Sequence, residues 1–197
     1  MLSVGHLFVI SAPTGGGKTT VARRAFELLH EKELLEKVIT YTTRQPRLHE
    51  QNGIDYYFIS LADFIAKQTD GFFLETTSYD DNLYGCPRSV IDAIEQGKSF
   101  VLVTDRAGAK TIKQLYPPAI LIWLTAPSLT AIAERLQKRG RETGIALERR
   151  IAIAAQEIMV EQEHPLFDHY IVNDDLATAS NDLKQLIEKT LQPNSHE

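Results

Sequence analysis

The segment APTGGGKTT at residues 12–20 holds three consecutive glycines followed by a lysine and two threonines, directly before a helical pattern. Glycines let a loop turn tightly and point successive N–H groups inward, and the next helix adds the positive end of its dipole, so the concavity suits phosphate. The spacing matches GxxxxGK[ST] at Gly17, Lys18 and Thr19, with Ala12 where the first glycine is usual. We predict that a nucleoside triphosphate binds to Ala12, Pro13, Thr14, Gly15, Gly16, Gly17, Lys18, Thr19 and Thr20.

Lys18 and Thr19 carry the side chains that act on phosphate in a loop of this kind. Lys18 is expected to reach the terminal phosphates of the nucleotide, which makes it a candidate catalytic residue. The Thr19 hydroxyl is expected to hold Mg²⁺, the cofactor that accompanies ATP. The loop therefore predicts a nucleotide-dependent reaction, and the second substrate must be inferred from other residues.

Two arginines and two tyrosines supply a second group of phosphate-binding side chains. Arg44 and Arg47 are three residues apart in a polar segment, and Tyr56 and Tyr84 add hydroxyl groups. Guanidinium groups bind phosphate through charge-assisted hydrogen bonds, so these four side chains suit a clamp for one monophosphate. A monophosphate clamp facing a triphosphate loop implies a nucleoside monophosphate kinase. Core packing of the two tyrosines is the alternative interpretation.

Short apolar runs predict buried strands, and helical patterns separate them. The strands are expected at residues 7–10, 100–104, 119–124 and 169–173. One helix is expected to follow the phosphate loop, and the others to cover residues 107–115, 128–138, 145–163 and 176–191. This alternation is typical of a parallel sheet covered by helices on both faces, so we predict an α/β fold.

Two segments interrupt the alternation. Residues 37–92 contain β-rich pieces separated by polar turns, which indicates an inserted subdomain. The basic, glycine-containing break RLQKRGRETG at 135–144 has a composition that suits a mobile lid. We place the core at 1–36, 93–134 and 151–197, the subdomain at 37–92 and the lid at 135–150.

Composition sets broad limits on the class of protein. A chain of 197 residues can bury one sizeable core, and a net charge of −5 gives no general reason to expect nucleic acid or an acidic membrane as a partner. The single cysteine, Cys86, cannot form an internal disulfide, and the amino terminus has no basic segment typical of a signal peptide. The six histidines lack the spacing of a zinc site. We expect a cytoplasmic protein, either a monomer or a homo-oligomer.

Several motifs, in this order and at these spacings, resemble the guanylate kinase family across nearly the whole chain. They read SAPTGGGKTT, TYTTRQPRLHEQNGIDYYF, FLE, NLYG, TDRAGA, RLQKRGRET and YIVNDDL. The most specific block, TTRxPRxxExxGxDYxF, is carried by Thr42, Thr43, Arg44, Pro46, Arg47, Glu50, Gly53, Asp55, Tyr56 and Phe58. The resemblance implies a P-loop NTPase-type sheet with a GMP-binding subdomain and a small lid. It also implies the reaction ATP + GMP = ADP + GDP with Mg²⁺.

The same resemblance implies which side chains bind guanine. Glu75 in FLE and Asp105 in TDRAGA would accept hydrogen bonds from the guanine N1–H and amine groups. Thr40 falls where the family often has serine, and Cys86 falls where it has serine or threonine, both near the base edge. A thiol is a poor partner for a guanine oxygen, so Cys86 can also be interpreted as a small buried hydrophobe. The GMP-binding set is Thr40, Arg44, Arg47, Tyr56, Glu75, Tyr84, Cys86 and Asp105.

The lid arginines complete the implied site. Arg135, Arg139 and Arg150 fall on family arginines that converge on the transferring phosphoryl group, where stabilisation of charge supplies most of the catalysis. Asn173 in YIVNDDL joins the ATP-binding residues by the same resemblance. The alternative for each arginine is a solvated helix face.

Two departures from the family pattern leave other functions open. The family's acidic strand often reads LDIDxQGA, whereas this chain reads LVTDRAGA, with Val103 in place of the first aspartate.

The segment RGRE at 139–142 is similar to the ribose 1,5-bisphosphate phosphokinases, a related branch that phosphorylates a sugar phosphate. A third possibility is a non-catalytic guanylate-kinase-like module that binds proteins, although the intact Gly17, Lys18 and Thr19 favour an enzyme.

Overall fold

The computed structural model describes residues 4–30, 35–79, 81–140 and 143–192. The strands in chain order are β1 (Leu7–Ser11), β2 (Glu36–Lys37), β3 (Tyr41–Thr42), β4 (Tyr57–Phe58), β5 (Phe73–Tyr79), β6 (Asn82–Pro87), β7 (Phe100–Val103), β8 (Ile120–Thr125) and β9 (His169–Val172). The helices are α1 (Lys18–His30), α2 (Leu61–Thr69), α3 (Ser89–Glu95), α4 (Arg106–Leu115), α5 (Leu129–Arg139), α6 (Ile145–Glu163) and α7 (Leu176–Leu191). No helix in these ranges is long and apolar enough to cross a membrane.

A parallel sheet with the strand order β2-β7-β1-β8-β9 forms the centre of the protein. Every residue of β1 is buried, because alternate side chains enter different cores on the two faces. Leu7 and Val9 pack in one core with Ile112 of α4, and Phe8 packs in the other, which includes Leu183 of α7. The predicted α/β fold with a parallel sheet flanked by helices is therefore confirmed.

The bounds of the predicted strands and helices differ from the sequence expectations by one residue at several ends. Helix α4 begins at Arg106 because Asp105 caps it: the Asp105 Oδ1 atom accepts a hydrogen bond from the Gly108 N–H at 2.8 Å. Helix α5 runs on to Arg139 and ends at Gly140, which adopts the left-handed conformation typical of a helix terminus. Residues 135–139 of the predicted lid therefore belong to α5 and residues 145–150 to α6. Residues 141–142 lie outside the described ranges.

A second sheet, with the order β4-β3-β6-β5, lies within the predicted subdomain. Strands β5 and β6 form an antiparallel pair, and the Phe64 ring of α2 stacks on the Phe73 ring of β5 with centroids 4.6 Å apart. The first residues of the predicted subdomain belong to the central sheet instead, since Lys37 pairs with Val101 and the Val38 N–H donates to the Val101 carbonyl. The domain boundaries stay a prediction.

A buried carboxylate anchors the carboxyl-terminal part of α6. Glu161 accepts a hydrogen bond from the Arg106 guanidinium of α4 at 2.7 Å. Its other oxygen accepts hydrogen bonds from the Leu166 N–H at 2.8 Å and the Tyr170 hydroxyl at 2.7 Å. Because Glu161 is only 4% exposed, these partners offset the cost of burying its charge. They fix α6 against α4 and β9, and so fix the direction in which α6 approaches the phosphate loop.

Candidate active site

The predicted phosphate loop connects the buried end of β1 to the first turn of α1. Gly17 has a φ of +93°, and a Cβ atom there would lie 2.4 Å from the Asn173 Nδ2 atom, so only glycine fits. The same Asn173 amide donates a 2.8 Å hydrogen bond to the Gly16 carbonyl. Asn173 therefore holds the loop shape from β9, which gives this predicted ATP-binding residue a supporting position behind the loop.

Arg135 of α5 lies on the other side of Asn173. Its Nη2 atom donates to the Asn173 carbonyl at 2.6 Å and to the Asp174 carbonyl at 3.3 Å. Its Nη1 atom is buried and has no hydrogen-bond partner among the described residues. A buried guanidinium N–H without an acceptor is costly, and an anionic oxygen at this position would satisfy it.

Lys18 opens α1 and faces a cleft between the two sheets. Burial lowers the pKa of the Lys18 ammonium, while the charges of Asp105 and Glu157 act to raise it. These carboxylates therefore favour the charged form of Lys18 that a phosphate needs. Thr19, the predicted Mg²⁺ ligand, lines the same cleft.

The structure brings together the whole predicted GMP-binding set. The residues of that set that line the cleft with Lys18 and Thr19 are Thr40, Arg44, Arg47, Tyr56, Glu75, Tyr84, Cys86 and Asp105. The lining also includes residues that the sequence analysis did not assign to binding, namely Thr77, Tyr79, Gly85, Val103 and Thr104. One cleft therefore joins the phosphate loop, the arginine pair and the two candidate base-binding carboxylates.

Glu50 holds the Arg44 side chain and the backbone of Arg47 in place. The Arg44 guanidinium donates two hydrogen bonds to the Glu50 carboxylate, at 2.9 and 3.0 Å, and the Arg47 N–H donates to the same carboxylate at 2.7 Å. The Arg44 guanidinium also lies 5.3 Å from the Tyr56 ring centroid. Burial acts to raise the pKa of Glu50, but the hydrogen bonds from Arg44 and Arg47 outweigh it and the pKa is lowered. Arg44 is thus presented to the cleft in a fixed orientation.

Glu75 is buried at the opposite side of the cleft. It is 5% exposed, and its Oε1 atom has no hydrogen-bond partner among the described residues. Burial, and then the nearby charge of Asp105, raise the pKa of Glu75 to about 8. A Cβ atom on Gly108 would lie 2.7 Å from that Oε1 atom, so the glycine of TDRAGA leaves room for the carboxyl group. Glu75 therefore contributes a buried carboxyl group to the lining of the cleft.

Cys86 lies beside Glu75, because the two residues pair across β5 and β6. Its side chain is fully buried, and the thiol lies 3.7 Å from the Pro87 carbonyl, to which it donates. Burial, and then the charge of Glu75, raise the pKa of the thiol. Cys86 therefore presents a neutral thiol to the cleft. Thr40 reaches the cleft from the segment before β3, where its carbonyl accepts a hydrogen bond from the Tyr57 N–H at 2.9 Å.

The three predicted lid arginines do not line the cleft. Arg139 is exposed at the end of α5, while Arg150 projects from α6 toward the phosphate loop. The Arg150 Nη1 atom donates to the Tyr79 hydroxyl at 2.5 Å, and this hydroxyl lies 3.2 Å from the Thr14 Oγ1 atom. The Thr14 N–H donates in turn to the Glu157 Oε2 atom at 2.6 Å.

Sequence reasoning assigned no role to Tyr79 or Glu157. Tyr79 is the last residue of the predicted β-rich piece GFFLETTSY, and Glu157 is one acidic residue among several on a long helix. Glu50, by contrast, belongs to the TTRxPRxxE block, and that motif was the available signal for its position beside both arginines. No group of three or more His, Cys, Asp or Glu side chains suited to a metal ion occurs within the described ranges.

Known proteins are similar to this chain in sequence and in fold. The family described as guanylate kinase matches residues 4–190. A guanylate kinase of Nitrosomonas europaea is 40% identical over 183 residues, which cover 92% of this chain and 88% of the relative. A guanylate kinase of Hahella chejuensis is 37% identical over 183 residues, which cover 92% of this chain and 85% of the relative.

A solved structure agrees with these sequence matches. The crystal structure of guanylate kinase from Anaplasma phagocytophilum has a TM-score of 0.76 and 27% sequence identity, and the match covers 98% of this chain and 89% of that chain. The match thus extends over both sheets and the cleft between them. The resemblance that the motifs predicted is confirmed, and the chain belongs to the guanylate kinase family.

Proposed function

We propose that this cleft binds ATP and GMP side by side and that the chain transfers the γ-phosphoryl group of ATP to GMP. The activity is that of a nucleoside monophosphate kinase, and the reaction is ATP + GMP = ADP + GDP. One observation carries the assignment to this site: Lys18 of the phosphate loop, Arg44 of the arginine pair and the carboxyl of Glu75 line one cleft. These three side chains suit a triphosphate, a monophosphate and a guanine base respectively.

The ATP phosphates bind at the loop between β1 and α1. Backbone N–H groups of Gly17, Lys18 and Thr19 face the phosphates at the amino terminus of α1, and the Lys18 side chain adds a positive charge. The N–H groups of Thr14, Gly16 and Thr20 already donate to Glu157, Pro13 and Gly17 respectively. Asn173 keeps the loop in shape through the Gly16 carbonyl. The buried Nη1 atom of Arg135 takes an acceptor from the nucleotide, which explains why that N–H has no protein partner in the described ranges.

The donor set of the loop fits Mg²⁺ bound together with ATP. Mg²⁺ in kinase sites is typically held by one or two protein oxygens together with substrate phosphates and water. Thr19 supplies a hydroxyl at this position of the cleft. When bound, Mg²⁺ neutralises charge on the phosphates during transfer. Val103 lines the cleft at the position where the family often has an aspartate, so the chain has one carboxylate fewer near this ion.

GMP binds between the arginine pair and the carboxyl groups. Arg44, Arg47, Tyr56 and Tyr84 hold its phosphate by charge-assisted hydrogen bonds. Glu75 and Asp105 accept hydrogen bonds from the guanine N1–H and amine groups, which adenine does not offer in the same arrangement. One Asp105 oxygen already caps α4, so its other oxygen is the one directed to the base.

Phosphoryl transfer in this site depends on positioning and charge. The attacking oxygen belongs to a phosphate whose second pKa is about 6, so it is largely ionised at neutral pH without a general base. Lys18, Arg135, Arg139 and Arg150 stabilise the charge on the transferring group. Arg139, exposed at the end of α5, approaches only when the lid closes. Closure also excludes water, which would otherwise accept the phosphoryl group.

A coupled assay of ADP release tests the proposed function. Purified chain with ATP and Mg²⁺ receives GMP, AMP or ribose 1,5-bisphosphate in separate reactions. ADP release with GMP alone supports the proposal. Release with the sugar bisphosphate alone would identify the chain as a sugar phosphate kinase. Release with none of the three would support a non-catalytic binding module.

We expect Arg44→Ala to raise the KM for GMP by about thirtyfold, because a hydrogen bond to a charged group contributes roughly 1.5–3 kcal/mol. The KM for ATP stays near its original value, since Arg44 lies away from the phosphate loop. Arg24→Ala is the matched control, because Arg24 is exposed on α1 and does not line the cleft. Steady-state kinetics with each substrate varied separately checks the result. An equal rise in both KM values would contradict the assignment of Arg44 to the monophosphate.

Val103→Asp restores a carboxylate beside the phosphate loop. We expect the Mg²⁺ concentration for half-maximal rate to fall several-fold, because a nearby carboxylate increases the affinity of the site for a hard cation. Val103→Asn is the control, since it matches aspartate in size without the charge. A Mg²⁺ titration of the three proteins makes the comparison. Identical curves for the wild type and Val103→Asp would show that this position does not influence metal binding.

A further inference from the structure

The Tyr79 hydroxyl bridges three elements at the edge of the active site. Tyr79 is the last residue of β5, and its hydroxyl contacts Arg150 of α6 at 2.5 Å and Thr14 of the phosphate loop at 3.2 Å. The Arg150 guanidinium also lies 5.7 Å from the centroid of the Tyr79 ring. Tyr79 lines the same cleft as Lys18 and Glu75. One side chain thus contacts the GMP side of the cleft, the ATP loop and a predicted catalytic arginine.

The direction of these hydrogen bonds follows from the groups involved. A guanidinium can only donate, so the Tyr79 oxygen accepts from Arg150. The phenolic proton is then available to the Thr14 Oγ1 atom. A chain of donors therefore runs from Arg150 through Tyr79 to Thr14, and the contact engages one of the five N–H donors of the guanidinium.

Helix α6 also contacts the phosphate loop directly, through Glu157. Glu157, about two helical turns beyond Arg150 and on the same face, accepts the Thr14 N–H at 2.6 Å. This contact fixes the distance between α6 and the loop. The Arg150 side chain still has a long, flexible stem, whose ordering costs rotamer entropy. A partner that holds the guanidinium near the loop before substrates bind removes part of that cost from the transfer step.

We propose that Tyr79 is a positioning residue for phosphoryl transfer and that its hydroxyl holds Arg150 against the phosphate loop. This inference rests on the proposed function, because it assumes that Arg150 acts on the transferring phosphoryl group. The aromatic ring supports the guanidinium from its face, and the hydroxyl sets its direction. In this role Tyr79 acts through Arg150, so its contribution to phosphoryl transfer depends on that guanidinium.

Tyr79→Phe tests the proposal, because it removes the hydroxyl and keeps the ring. We expect kcat to fall about tenfold, the size expected for one hydrogen bond to a charged group. The KM for GMP stays unchanged, since Arg44 and Glu75 remain in place. Tyr116→Phe is the matched control, because Tyr116 lies at the far end of α4 and does not line the cleft. The thermal midpoints of both variants should equal that of the wild type.

A double-mutant cycle with Arg150→Ala distinguishes positioning from a general structural effect. Because Tyr79 acts through Arg150, Tyr79→Phe should cause no further loss of kcat in the Arg150→Ala background. A full tenfold loss in both backgrounds, or a kcat of Tyr79→Phe equal to or above that of the wild type, overturns the positioning role while leaving GMP kinase activity intact. A wild-type chain that releases no ADP with GMP overturns the proposed function, and the inference about Tyr79 with it.

Discussion

Lys18→Ala should lower the kcat of GMP-dependent ADP release by about a thousandfold, the upper end of what loss of one preorganised charge donor costs. Lys18 is the first residue of α1 and lines the cleft together with Asp105, whose charge acts on the Lys18 ammonium. Arg135 donates to the Asn173 carbonyl and Arg150 to the Tyr79 hydroxyl, so neither guanidinium takes the position of the Lys18 ammonium. The charge that develops on the transferring group then loses its lysine partner at the loop.

The fold of Lys18→Ala is expected to stay intact. Burial of the ammonium is unfavourable in the folded protein, as the lowered pKa of Lys18 indicates, so its removal does not cost stability. Thermal unfolding of the variant should therefore occur at or above the wild-type midpoint. Lys110→Ala, which truncates an exposed lysine on α4, is the control and should keep full activity. Near-normal turnover of Lys18→Ala would refute the assignment of the ATP site to this loop.

Local patterns were sufficient to predict the central sheet and the phosphate loop. Strand β1 is a continuous apolar run because both of its faces are buried, and such runs are visible without any knowledge of the neighbours. The loop glycines were predicted from spacing alone, and the structure adds the reason for Gly17: its positive φ and the Asn173 amide leave no room for a side chain. The element ends were harder to place, because caps such as Asp105 extend a helix by a residue.

Only some of the residues that line the cleft could be predicted from the sequence. Residues in distinctive blocks, such as Arg44 and Glu75, could be named because the family resemblance assigned each of them a place. Tyr79 could not, because its partners Arg150 and Thr14 are distant in sequence and no local rule links a strand-end tyrosine to a helix arginine. The raised pKa of Glu75 could not be predicted from the sequence either. Its causes, burial and the nearby charge of Asp105, depend on the packing of β5 against α4.

Glu75 combines a stability cost with its proposed function in binding guanine. A buried carboxyl group with an unpaired oxygen destabilises the empty protein, and its raised pKa is the sign of that cost. Guanine offers two N–H donors, which favour the ionised carboxylate. Binding of GMP below pH 8 should therefore release a proton from Glu75. This arrangement makes the site selective for guanine, because a base without those donors leaves the Glu75 carboxyl group unpaired.

Glu75→Gln should reduce the preference for GMP over AMP, expressed as the ratio of kcat/KM values, by about a hundredfold. An amide has one acceptor oxygen, and its NH₂ group would face a guanine N–H donor, so one of the two hydrogen bonds is replaced by a repulsive contact. Glu95→Gln, an exposed substitution on α3, is the matched control. Kinetics with GMP and AMP measure the ratio, and an unchanged preference would remove Glu75 from the base-binding set.

The pH profile of the same variant separates loss of the carboxylate from a general disturbance of the cleft. Because the pKa of Glu75 in the free protein is about 8, the Glu75 carboxyl group is mostly protonated at pH 7, and kcat/KM for GMP should rise above pH 7 and reach half of its maximum near pH 8. The GMP phosphate, with a second pKa of about 6, contributes little to a rise in this range. Glu75→Gln keeps every other ionisable group of the site, including Lys18, yet should lose the rise. A profile that keeps the same rise in the variant would assign it to another group and would contradict the ionisation of Glu75 on binding guanine.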